Sequence, residues 1–211
     1  CGFRHKSDTI KTIFKKYGMN EKIICVISQK HNSIGKIYRI ATNRDKDIFE
    51  KARKKLYKDI GQIEKEWKIN PIPEEDLPGS SGSGAERAFS VKNYGYKTWG
   101  DMFNSRQKLF IITTIQKIRN AHNKMLQEKL SEDKIKFIIS SLCVILDRVI
   151  NFDSVLCTLN TVGGRGVTQT FSRQTLPIVW DYMESNPFNS LAAGWISSVE
   201  KSRKWLENIS K

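Results

Sequence analysis

The sequence predicts a mainly α fold with a small β-hairpin (α+β), organised around an antiparallel helix pair. Three observations predict it. Apolar residues recur at helical spacing through most of the 211-residue chain. One compact β-branched run, Lys22 to Gln29, is followed by turn residues and then by an alternating segment. Two long apolar-striped segments, up to Leu130 and from Ser131, meet at a connection too short to let them do anything but fold back on each other.

The elements follow in order. Ser7 to Tyr17 sets Ile10, Ile13, Phe14 and Tyr17 at i, i+3, i+4 and i+7, which predicts a short amphipathic helix ending at Gly18. The run Lys22–Gln29, the turn-prone His31-Asn32-Ser33 with Gly35, and the alternating Lys36–Ile40 predict a hairpin. Thr42 or Asn43 caps a long helix from Arg44 to Trp67, whose apolar face carries Ile48, Phe49, Ala52, Leu56, Ile60 and Ile63. Its other faces are dense in Lys and Arg. Pro71, Pro73 and Pro78 then forbid a helix, and Gly79-Ser80-Ser81-Gly82-Ser83-Gly84 has the composition of a flexible linker. The expected division is a basic hairpin-plus-helix subdomain at 1–69, a linker at 70–84 and a helical subdomain at 85–211.

Beyond the linker, Phe89–Tyr96 is expected to be extended or irregular. Asn104 or Ser105 caps a helix through Leu130, and Ser131 restarts one through about Ile150. Asn151–Val167 reads as an irregular excursion. A short helix at Leu176–Glu184 and a final one from Asn189 to Ile209 close the chain.

No apolar run reaches the ~20 residues of a membrane span; the longest, Ile135–Ile150, is broken by Lys136, Asp147 and Arg148. Without an apolar leader or an initiator Met, the chain is expected to be a cytoplasmic, excised piece. Cys1, Cys25, Cys143 and Cys157 form no Cys-x-x-Cys pair, so no disulfide framework is expected. Cys25 and Cys143 are expected to be small core residues.

Charge is the strongest compositional signal. The chain carries +14, and residues 1–69 hold 18 Lys/Arg against 8 Asp/Glu, a balance of +10. Such a field favours a polyanion, with nucleic acid first. Ordinary solvated Lys-rich helix faces give the same composition, so charge alone does not choose.

Motifs narrow the choice. Tyr94-Gly95, Thr98-Trp99-Gly100-Asp101, Ser105-Arg106-Gln107, Asp147-Arg148 and Gly163-Gly164-Arg165-Gly166 precede Thr170-Phe171-Ser172-Arg173-Gln174. Leu176-Pro177-Ile178-Val179-Trp180-Asp181, Asn186-Pro187-Phe188 and Gly194-Trp195 follow. Together they resemble the middle of the zinc-ribbon-containing adenine-specific DNA methylases, the family with an amino-terminal domain of unknown function. The resemblance implies a helical insertion within an S-adenosylmethionine-dependent DNA adenine methyltransferase, of the kind that marks self DNA against phage. It implies two partners: DNA and the remainder of the parent methylase.

The chemistry of methyl transfer is expected elsewhere in the parent. The base-holding tetrapeptide of such enzymes carries two consecutive prolines; Asn186-Pro187-Phe188 is similar to it but lacks one. No strand leads into the glycine-rich turn at 163–166, as a cofactor cradle requires. No catalytic residue is expected, no cofactor in this piece, and no metal, because Cys1 and His5 cannot supply four zinc ligands. The candidate nucleic-acid contacts are Arg106, Gln107 and Lys108 in the first turn of a helix, and Arg165, Arg173 and Gln174 in the motif loops. Arg173 has a second reading, as an ion-pair partner of Asp181 or Asp153. The alternative function is a helical protein–protein interaction scaffold that docks to the methylase core or to a partner subunit.

Overall fold

The computed structural model describes residues 4–28, 35–78, 88–160, 166–189 and 194–209. Five α-helices are described: α1 (Ser7–Tyr17), α2 (Asn43–Trp67), α3 (Ser105–Gln127), α4 (Glu132–Asn151) and α5 (Trp195–Ile209). The hairpin pairs β1 (Cys25–Ser28) antiparallel to β2 (Ile37–Ile40), with Cys25 opposite Ile40. A second, minimal antiparallel ladder joins β3 (Leu159–Asn160) to β4 (Gly166–Val167), inside the segment expected to be irregular. Two 3-10 helices, Ser90–Tyr94 and Trp99–Met102, lead into α3. The mainly α architecture with a small β component is as the periodicity predicts.

Local chemistry explains the start of α2. The Thr42 amide and hydroxyl both donate to Asp45 Oδ2, at 2.8 and 2.6 Å. Arg39, on β2, grips the same carboxylate with both terminal nitrogens at 2.7 Å. The hairpin is thereby tied to the helix it precedes. These donors, Arg39 foremost and then Thr42, hold the Asp45 carboxyl well below the usual carboxylate range.

Two apolar clusters hold the fold. Leu56 and Ile63 of α2 pack with Ile112 of α3, flanked by Ile60, Trp67, Ile72 and Leu109. Leu77, Val91, Met102, Val155, Leu156 and Leu176 form the second cluster, which joins Leu77 of the proline-rich stretch to residues beyond it. Each such buried side chain contributes roughly 1.5–3 kcal/mol. Surface ion pairs give about 0–1 kcal/mol each, so these clusters dominate.

The expected linker is packed over its described part. Leu77 N donates to Lys97 O at 2.8 Å and Trp99 N to Glu75 O at 3.1 Å, and Asp76 bridges Thr98. Gly100 is required at this crossing: a Cβ there would lie 2.6 Å from Ile72 Cγ2 and 2.7 Å from Pro73 O. Contacts between α2 and α3 also cross the expected boundary. The Gly/Ser run itself lies outside the described residues.

Three expectations are corrected. Leu176–Glu184 is not helical, because its backbone groups are claimed by distant segments. Leu176 N donates to Ala88 O at 2.6 Å, Met183 N to Cys157 O at 2.7 Å, and Ile178 N to Ser90 Oγ at 2.9 Å. The last helix begins at Trp195 rather than Asn189, since Asn186 closes a turn whose Oδ1 accepts from Phe188 N at 3.0 Å. Cys25 and Cys143 are exposed rather than core, Cys25 on a two-stranded hairpin and Cys143 on the outer face of α4; Cys157 is buried.

Candidate nucleic-acid interface

The first turn of α3 carries three of the candidate residues, and its geometry turns two of them inward. Asn104 Oδ1 accepts from Arg106 N and Gln107 N, both at 2.9 Å, and Gln107 Oε1 accepts from Asn104 N at 2.8 Å. This reciprocal capping uses the amide groups that would otherwise attract an anion. Gln107 is 1% exposed, so no ligand reaches it in the folded state. Its Nε2 donates to Asp153 Oδ1 at 3.1 Å, an atom that also accepts from Ser185 N at 3.1 Å.

Arg106 forms a two-pronged pair with Glu184, Nε to Oε1 at 2.5 Å and a terminal nitrogen to Oε2 at 2.8 Å. Its guanidinium also lies over the Phe49 ring of α2, 5.4 Å from the centroid. Glu184, the leading cause, raises the Arg106 pKa. The carboxylate is shared: Asn104 Nδ2 donates to Glu184 Oε2 at 2.8 Å and to Tyr182 OH at 3.0 Å. Tyr182 in turn donates to Glu21, and burial, followed by that bond, pushes its pKa up. Lys108 is half-buried, and desolvation lowers its pKa.

The cap residue Asn104 and motif residues Arg106 and Gln107 thus converge with residues 182, 184 and 185 and with Asp153 into a polar lock between the start of α3 and the segment before α5. Glu21, Tyr182, Glu184 and Ser185 were not singled out in the sequence. The spacing Asn104-x-x-Gln107 is the one local signal that points to the cap; nothing local points to partners 78 residues away.

The second candidate group is a loop pinned at its base. Thr170 N donates to Asn151 O at 2.7 Å and Phe171 N to Asn151 Oδ1 at 2.9 Å. Thr170 itself is buried, its hydroxyl 2.8 Å from Ser154 Oγ. Arg173 and Gln174 are exposed beyond this anchor. Among the described residues Arg173 forms no ion pair with Asp181 or Asp153: Asp153 belongs to the α3 lock. Trp180 packs against other rings, tilted on Phe14 at 5.8 Å and edge-on to Tyr94 at 5.2 Å between centroids. Arg165 lies outside the described residues.

The largest exposed run of cations is on α2. Arg44, Lys51, Lys58 and Lys65 recur every seven residues and are all exposed, with Lys54 and Lys55 beside them. At 3.6 residues per turn this makes one ridge about 30 Å long, roughly opposite the buried Leu56 and Ile63. Lys55 pairs with Asp59 at 2.7 Å, and Asp47 is the one acid near the ridge line.

Comparison of the chain with family models, curated proteins and solved structures returns no match. Among the described residues, no group of three or more His, Cys, Asp or Glu is placed to hold a metal ion, and no helix is long and apolar enough to cross a membrane.

Proposed function

We propose that this chain is a non-catalytic, DNA-holding region of a larger adenine methylase, and that α2 grips the duplex backbone. The observation that carries the DNA-holding part is the exposed ridge Arg44–Lys51–Lys58–Lys65, whose opposite face is buried against α3. A rigid helix presenting cations at regular intervals suits phosphates, which supply affinity without reading sequence. Arg173 and Gln174 add exposed polar groups on a pinned loop. The methylase part rests on the motif resemblance; S-adenosylmethionine and the methyl-transfer residues belong to the rest of the parent protein.

The test is reversal of charge on the ridge. Lys51→Glu with Lys58→Glu is expected to weaken duplex DNA binding by about a hundredfold, since two phosphate contacts become two repulsions. Both positions are exposed, so the melting temperature should hardly move. Unchanged affinity would remove α2 from the interface.

A second reading is favoured by the outer face of α4, where Phe137 and Val144, seven residues apart, are 55% and 66% exposed. An apolar stripe of this kind suits a docking scaffold. Binding to the rest of the methylase that survives high salt and is lost in Phe137→Ser would support that reading.

A further inference from the structure

Strand β2 of the hairpin is uncovered. All four of its residues are exposed, with Ile40 at 85% and Tyr38 at 57%. Alternation along the paired strands puts Cys25, Ile27, Tyr38 and Ile40 on one face, since Cys25 lies opposite Ile40 and Ile27 opposite Tyr38. That face is apolar throughout, and Cys25, Tyr38 and Ile40 on it are exposed. A two-stranded sheet is marginal in water unless a further strand or a helix covers it.

The backbone says what kind of cover fits. Ala41 N donates to Ile24 O at 2.9 Å, so the hydrogen-bonded pairs of this ladder are Ile24–Ala41, Val26–Arg39 and Ser28–Ile37. Tyr38 and Ile40 therefore turn their N–H and C=O groups away from β1, toward the open edge of β2. The Ile40 carbonyl takes a long contact there from Arg39, at 3.4 Å. Nothing on β2 blunts the edge: it has no proline and no bulge, and its one charge, Arg39, is held by Asp45. Charge then selects the occupant. Lys22 stands before β1 and Lys36 before β2, and among the described residues neither has an acid partner. The nearby acids are already engaged, Asp45 by Arg39 and Glu21 by Tyr182. A second copy of this chain would bring its own balance of +10 over residues 1–69 against the same cations, and like charges in apposition oppose that pairing.

We infer that the open edge of β2 takes an extended, acidic segment of a partner protein as a third strand. Its backbone pairs with Tyr38 and Ile40, its apolar side chains cover the face that these two share with Cys25 and Ile27, and a carboxylate meets Lys36. Main-chain bonds supply the affinity, and the alternating side chains with the acid supply the selectivity. The inference does not depend on duplex binding by α2.

The test is fluorescence anisotropy on the full chain with a short labelled peptide that alternates valine with glutamate. It is expected to bind about tenfold more tightly than the same peptide with lysine for glutamate. Two further forms are N-methylated, one on every valine and the other on every glutamate. Amides of alternate residues point to opposite edges of a strand, so one form is expected to lose binding and the other to keep it. A peptide held only by the charge of the α2 ridge would not tell the two forms apart. Tyr38→Pro removes an N–H that faces the edge and no bond of the β1–β2 ladder, and is expected to weaken binding about tenfold. Ile40→Asp, at an exposed position, sets a carboxylate against those of the peptide and is expected to do the same, even where proline disturbs the strand. No binding at millimolar concentration, equal affinity for the glutamate and lysine peptides, equal behaviour of the two methylated forms, or indifference to both variants overturns the assignment. So does a wild-type dimer in sedimentation that Ile40→Asp dissolves, which would give the edge to a second copy.

Discussion

At 4% exposure, Asp153 holds its carboxyl beneath the α3 cap, facing Gln107, the Ser185 amide, Glu184 and Arg106. Burial pushes its pKa up to about 7, and the nearby Glu184 charge adds to the effect. The Gln107 and Ser185 donors and Arg106 oppose it. In the unfolded chain the group titrates near ~3.9. Between those values the folded protein keeps a proton that the unfolded chain has lost. The carboxyl's contribution is therefore fully present below about pH 4 and fades as pH rises to about 7. Asp153→Asn keeps a carbonyl oxygen for Gln107 and Ser185 and removes the titration. We expect it to raise stability at pH 8 by on the order of 1–3 kcal/mol and to flatten the melting temperature between pH 4 and 8. A wild-type melting temperature that rises steadily over that interval while the Asn variant tracks it would refute the assignment.

The α3 cap shows why some elements were legible in the sequence and others were not. Asn104 was readable as a cap because capping is local: a polar residue sits before an apolar-periodic run, with Gln three positions on. The α2 start at Thr42, the hairpin and the split between α3 and α4 are readable on the same grounds. The lock that gives the cap its second role is not local. Asn104 Nδ2 reaches Tyr182 and Glu184, and Arg106 reaches Glu184, across 78 to 80 residues. The same non-locality undid the helix expected at Leu176–Glu184, whose backbone amides instead donate to Ala88, Ser90 and Cys157. Two candidate DNA contacts, Arg106 and Gln107, were drawn from residues that hold this lock. We expect Asn104→Ala to cost about 2–4 kcal/mol in urea unfolding, roughly 1 from the cap and the rest from the two lost side-chain bonds. Asn104→Ser, which keeps an acceptor oxygen but has no amide to donate, should recover only the cap's share. Equal stability for the Ser and Ala variants would show that the cap contributes nothing.

At the scale of the whole molecule, the charge of +14 is unevenly spread along the chain. Residues 1–69 carry most of the excess, and α2 within them shares its core with Ile112 and Leu109 of α3. Deleting that segment to test DNA binding would uncover an apolar face and confound affinity with unfolding. Salt titration avoids the problem, because it leaves the fold intact and counts phosphates. Five ridge cations, Arg44, Lys51, Lys54, Lys58 and Lys65, have no acid pairing among the described residues. If each meets one phosphate, log K for duplex DNA should fall with log salt at a slope of about −4.5. The Lys51→Glu, Lys58→Glu double variant removes two of the five contacts, so its slope should flatten to about −2.7, and the two lines should converge as salt rises. A scaffold that uses the Phe137–Val144 stripe would give a slope near zero in both proteins. A steep slope shared equally by wild type and variant would place the phosphate contacts elsewhere, with the exposed Arg173 loop the next segment to test.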